Sequence, residues 1–152
     1  MLNEKYITTS KMLALIFKTN NIGNFIKNNS VNMETCRLTD YLKDLCKEKN
    51  VVQEHVIIHS DIDRTYGHQI FRGLHKPSRD KIIQLAFGFG LNLEETQVLL
   101  RFAKYSALYP KLKRDAVIIF CLNRKKTALE TQDLLYELGL TILGGRCNEP
   151  DC

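Results

Sequence analysis

The chain has 152 residues, 44% hydrophobic and 26% charged, with a net charge of +5. That length suits one sizeable core with extensions, and no apolar run is long enough to span a bilayer. Five cysteines, an odd number with no C-x-x-C pair, argue against a disulfide framework and for free thiols in a reducing cytoplasm.

Residues 1–36 read as an N-terminal helical arm. Ser10 can cap a helix through Met12, Leu15 and Ile16 that ends at Thr19-Asn20-Asn21. No small-residue cleavage site follows the apolar stretch 12–17, so a secretory signal is not expected. A short apolar turn, Phe25-Ile26, precedes Asn28-Asn29-Ser30. The next helix runs from Leu38 to Lys49 with Thr39 as N-cap. Leu38, Leu42, Leu45 and Cys46 share one face, with Asp40, Lys43, Asp44 and Lys47 opposite. Asn50 ends it.

The stretch 52–79 organises the rest. Val56, Ile57 and Ile58 make an apolar patch on a first short helix, and Ser60-Asp61-Ile62-Asp63 breaks it. Asp63 is suited to cap a second helix, because its carboxylate can accept the free amide hydrogens of the first turn. Arg64, Thr65, His68 and Gln69 then share one exposed face, while Ile70 and Phe71 turn inward and Gly73 stops the helix. Arginine is bidentate to guanine and glutamine to adenine in the major groove, so this is a plausible base-reading helix.

Lys76-Pro77 leads into a helix from Arg79 to Phe87, capped by Ser78, with Ile82, Ile83, Leu85 and Ala86 apolar. Gly88 and Gly90 have no strand before them and no G-x-x-G after, so they fit close helix packing and a left-handed cap better than a nucleotide loop. Asn92 caps a further helix with Glu94 and Glu95 in its first turn and Val98, Leu99, Leu100 and Phe102 on its apolar face.

After Tyr109-Pro110 the chain repeats itself. Arg79-Asp80 recurs as Arg114-Asp115, Glu95-Thr96-Gln97 as Glu130-Thr131-Gln132, and Leu99-Leu100 as Leu134-Leu135, each at an offset of 35 residues. Each unit is a helical hairpin, and the second is expected to stack on the first and bury Ile118, Ile119, Phe120 and Leu122. Two copies are too few for a solenoid. Lys111, Lys113 and Arg114 lie between the copies, within reach of phosphate. Residues 145–152, with Cys147 and Cys152, read as a loose tail. Cys46 and Cys121 fit apolar helical patterns as small core residues.

The charge is uneven. Residues 73–114 hold eight Lys or Arg against three acids, residues 37–72 balance at six and six, and residues 115–152 run to −2. Such asymmetry fits one face meeting a polyanion, and equally a solvated surface. No catalytic grouping, phosphate loop or paired carboxylate beyond helix capping is present, so no enzyme and no cofactor are expected. His55 and His59, four apart, could chelate a metal with His68 or His75, but the intervening Val-Ile-Ile lacks a catalytic glutamate. Two surface histidines are the plainer account, and no metal is expected.

The residues from Gln53 to Pro77 resemble the helix-turn-helix of the Xre/Cro-type repressors. Gln53, Asp63-Arg64-Thr65-Tyr66, Gln69-Ile70-Phe71-x-Gly73 and Lys76-Pro77-Ser78 all sit at that spacing. RTYGHQIFRG, LHKPSRDKIIQLAFGFGL and NLEETQVLL are similar to small Firmicute-like Xre-type proteins whose second half carries a helical segment like 113–144 here. The likeness extends over about residues 10–144. Three positions depart from the pattern: Asp61 stands where the turn usually has Gly, Ile57 where the first helix usually has Ala, and Asp61 with Asp63 places acids close to phosphate.

The resemblance implies an all-α fold: a lambda-repressor-like helix-turn-helix domain over 37–110, with an N-terminal helical arm over 1–36, a C-terminal helical hairpin over 111–144 and a flexible tail. It implies a cytoplasmic, bacterial, sequence-specific DNA-binding regulator, bound to double-stranded DNA as a homodimer. Arg64, Thr65, His68 and Gln69 would meet base edges or neighbouring phosphates, Gln53 a phosphate, and Arg72, Lys76, Arg79 and Lys81 the backbone. The alternative is a protein-interaction adaptor that keeps the fold, with a protein partner on the C-terminal hairpin.

Overall fold

Nine helices and no strand form among the residues that the computed structural model describes, 7, 9–33 and 37–145. They are α1 Thr9–Lys18, α2 Ile22–Met33, α3 Leu38–Glu48, α4 Gln53–His59, α5 Arg64–Arg72, α6 Arg79–Phe89, α7 Leu93–Phe102, α8 Lys113–Asn123 and α9 Ala128–Glu137. No helix among these residues is long and apolar enough to cross a membrane. The expected tail from 146 onward, and Cys36, lie outside the described residues. The chain divides into two compact units, one through Arg37 and one from Leu38 onward.

In the first unit α1 begins at Thr9, which places Ser10 inside the helix and not ahead of it. The expected turn at Phe25-Ile26 is instead part of the 12-residue α2. Asn21 explains the change: its side-chain oxygen accepts the Asn24 N–H at 3.0 Å, satisfying a first-turn donor. Asn29 donates its side-chain amide to the Phe25 carbonyl at 2.9 Å. Asparagines that favour turns here bond to the helix's own backbone.

The second unit uses one helix stop at Asn50, Gly73, Gly90, Lys104, Lys125 and Gly139, and after three of these the next helix begins three residues on. Asn50, Gly90 and Lys125 take φ values of 52°, 68° and 55°. The following amides of Val51, Leu91 and Lys126 reach back to the carbonyls of Cys46, Ala86 and Cys121, each at 3.0 Å. This is the left-handed helix stop with its 6→1 bond; it makes α6–α7 and α8–α9 packed hairpins, whereas α3 packs chiefly on α5. Helix α3 starts at Leu38, so Thr39 lies in its first turn and is not its cap. Tyr41 of α3 stacks on Phe102 of α7 with ring centroids 4.0 Å apart.

Helix α6 is the central element. Every residue from Ile82 to Phe89 is buried, and α4, α7 and α9 all pack against it. A Cβ on Gly88 would lie 1.9 Å from Ser60 Oγ and 2.5 Å from the Val56 carbonyl oxygen. The α6 backbone therefore passes where only glycine fits, against the last turn of α4.

The repeated hairpins meet in a reciprocal way. Arg79 donates to both carboxylate oxygens of Asp115, at 3.2 and 2.9 Å, and Arg114 donates to both of Asp80, at 2.9 and 2.8 Å. Each arginine also holds its own hairpin's exit loop: Arg79 the carbonyls of Ser106 and Ala107, Arg114 those of Thr141 and Ile142. The aspartates complete the exchange, Asp115 accepting the Tyr109 N–H and Asp80 that of Gly144. Helix α6 packs on α9 and α8 on α7. A side chain of one copy thus takes the partner that its equivalent offers in return, the pattern of an approximate two-fold axis and not of a translational stack. The loops are also clamped alike: Gln97 bonds both the N–H and C=O of Leu108, and Gln132 those of Leu143. Asn92 with Glu95 and Thr127 with Glu130 form matching capping boxes.

Two apolar expectations change. Ile118 and Leu122 are buried, but Ile119 is only half-buried, and Phe120 is 46% exposed with the Arg124 guanidinium 5.2 Å over its ring. On α4, Val56 and Ile57 are buried and Ile58 is 63% exposed, because a seven-residue helix packs only one side on α6 and α5.

Candidate nucleic-acid interface

The candidate site is built on α4 and α5 and the turn between them. The turn holds because Asp61, at φ 56°, takes the left-handed conformation usually left to glycine, which aspartate tolerates better than most residues. Gln84 of α6 donates its side-chain amide to the Asp61 carbonyl at 3.0 Å, tying the turn to the core. Ile62 is buried beneath it. Asp63 then caps α5 as expected, accepting the Tyr66 N–H at 2.9 Å. Gly73, at φ 76°, closes it, its N–H reaching Gln69 and Ile70 carbonyls.

The inner side of α5 is fixed by Ile70 and Phe71, both almost fully buried. Gly67 faces Ile57 so closely that a Cβ would lie 2.6 Å from its Cγ2. Bulk at Ile57 thus fills the space that a side chain at position 67 would need. Phe71 meets Phe89 of α6 at 6.3 Å. The outer side presents Arg64, Thr65 and Arg72, all exposed, with His68 and Gln69 partly so. Lys76 is exposed in the following loop, its ammonium 5.4 Å over the Tyr105 ring, and Tyr105 in turn donates its hydroxyl to the Pro77 carbonyl. Tyr66 stacks on His75 at 5.7 Å.

A residue that the sequence did not single out links this row. Glu54, in the first turn of α4, accepts from Arg64 Nε and from His68 Nε2, each at 2.6 Å. Gln53 Nε2 lies 2.8 Å from His68 Nδ1. With the Gln53 amide donating to Nδ1, the ring carries its proton on Nε2 and gives it to Glu54. The His68 hydrogen bond, ahead of the contribution from Arg64, holds the Glu54 carboxyl below its usual range against the opposing effect of burial. An acid at the start of a helix is ordinary, so nothing local signalled that it would reach across to α5.

Arg79 does not join the row. Its guanidinium is committed to Asp115 and two loop carbonyls, which corrects its expected place on a DNA backbone. The same holds for Arg114, held by Asp80 in place of a phosphate. Arg64 and His68 are brought together through Glu54, and Gln53 joins them through His68; Thr65, Gln69 and Arg72 continue along α5; Lys76 follows in the loop. His55 and His59 stack at 3.9 Å, and His59 Nδ1 bonds the His55 carbonyl. No group of three metal-ligating side chains forms among the described residues. No protein-family model, curated protein or solved structure matches the chain.

Proposed function

We propose that the chain is a sequence-specific DNA-binding regulator, with α4, the turn 60–63 and α5 acting as a helix-turn-helix of the Xre/Cro type. One observation carries this reading: α5 is locked by Gly67, Ile70 and Phe71 on its inner side and presents Arg64, Thr65, His68 and Gln69 outward. A short rigid helix with such a row suits major-groove readout. Gln53, Arg72 and Lys76 would hold phosphates, making the affinity salt-dependent. A homodimer would place two such helices on successive half-sites.

Selection from a randomised duplex pool at moderate salt tests it. A single enriched motif, favoured at least tenfold (about 1.4 kcal/mol) over a scrambled duplex and changed by Gln69→Ala, is the expected result. An unenriched pool with only steeply salt-dependent binding overturns it.

One observation favours a protein-interaction adaptor instead. Glu54 bonds both Arg64 and His68 and interrupts the cationic row with an acid. Under that reading the α4–α5 face binds a protein carrying both charges, and Glu54→Gln weakens partner capture.

A further inference from the structure

A cleft of about 330 Å³ lies between α4, the α6–α7 turn and the α8–α9 turn. It is separate from the outward row of α5. Its floor is apolar, built from Phe87, Leu91 and Leu122, each no more than 8% exposed. The stacked rings of His55 and His59 form one wall. Lys125 and Lys126, from the α8–α9 turn, line the cleft too.

The charge at this opening is unbalanced. Among the described residues neither Lys125 nor Lys126 is in an ion pair. Glu95 and Glu130 feel these lysines, but both carboxylates are already held. Glu95 accepts from Lys49 and the Asn92 N–H, and Glu130 from the Thr127 N–H. Two cations therefore border an apolar floor with no carboxylate bonded to either. The equivalent positions in the first copy are Gly90 and Leu91, so this lysine pair belongs to the second copy alone.

The geometry points to a binding site for a small amphiphilic carboxylate, with its chain on Phe87, Leu91 and Leu122 and its head at Lys125 and Lys126. The volume equals that of about eleven waters, so a ligand of roughly ten heavy atoms fills it. Octanoate has that size. The site stands on the cleft alone and does not depend on the DNA-binding reading.

Titration calorimetry of the full chain with octanoate, hexanoate, 1-octanol and acetate tests this. Octanoate should bind saturably at one site. Hexanoate, two methylenes shorter, should be about fifteenfold weaker, and acetate should give no heat. The Lys125→Gln/Lys126→Gln double variant should lose at least tenfold in octanoate affinity; Lys126→Gln alone serves if the double variant does not fold. Equal binding of octanol and octanoate, unchanged affinity in a folded variant, or no saturable heat with octanoate would each overturn the proposal.

Discussion

Arg79 and Asp115 are joined by two hydrogen bonds, at 3.2 and 2.9 Å, across the boundary between the repeated hairpins. Asp115 is 3% exposed. Removing its guanidinium would leave a buried carboxylate with only the Tyr109 amide. Arg79→Ala should therefore lower stability by about 3 kcal/mol in denaturant unfolding. A phosphate-contacting arginine would instead leave stability unchanged and flatten the salt dependence of DNA binding.

Stability should fall in acid, and Asp80 should account for part of the loss. Burial raises its proton affinity, but Arg114, the Gly144 N–H and the nearby guanidinium charges outweigh this and leave the carboxyl below its ordinary value of 3.8. Because the folded value is the lower one, the stabilisation is complete above the unfolded value and is lost as pH falls through the folded value. Glu95 has the same sign: burial is outweighed by Lys49 and the Asn92 N–H. Unfolding free energy measured from pH 6 to pH 2 should drop below about pH 4, with a shallower fall in Asp80→Asn.

Gly67 and Ile57 should behave as one packing unit. Gly67→Ala gains helix propensity but forces a methyl to within 2.6 Å of Ile57 Cγ2, so a net cost of about 1–2 kcal/mol is expected. Adding Ile57→Ala should make the alanine at position 67 cheaper by at least 1 kcal/mol in a double-mutant cycle. Additive costs would show that the two side chains do not compete for the same space.

If α5 reads DNA, Glu54 competes with the duplex for Arg64 and His68. Glu54→Gln should then raise affinity for the selected site and increase the salt slope. Gln69→Ala should cost about 1–3 kcal/mol on that site and little on random DNA. Lys76→Ala should weaken both almost equally. Quantitative mobility shifts across a salt series read all three.

Asp61 carries the positive φ of the α4–α5 turn. Asp61→Gly should be stabilising by about 0.5 kcal/mol, the relief of strain being partly offset by greater freedom in the unfolded chain. Asp61→Val should cost about 1–2 kcal/mol. Thermal and denaturant unfolding of the two variants give the comparison.

Local signals in the sequence were readable where a residue bonds to a backbone neighbour. Asp63, Ser78 and Asn92 cap the helices expected of them, and Gly90 takes its left-handed stop. The 35-residue repeat was legible too, as was the inward turn of Ile70 and Phe71. Partners chosen across the fold were not. A recurring Arg-Asp dipeptide carries no mark that Arg79 will take the aspartate of the other copy. Glu54 is by sequence a helix-start acid like many others, and its bonds to Arg64 and His68 exist only once α5 is laid against α4. Phe120 has an apolar side chain at core spacing, and its equivalent Leu85 is fully buried. But α4 packs against α6, whereas α8 packs on α7 and α9, which leaves Phe120 half-exposed.

The exchanged arginine–aspartate pairs also limit growth of the array. Each hairpin contributes one arginine and one aspartate to the join, and pairing the two copies uses every one of those groups. A stacked array keeps a sticky end that invites another unit, but here both valences are saturated. A third copy fused after the second would find no open bond to dock on, so the duplication is its own chain terminator.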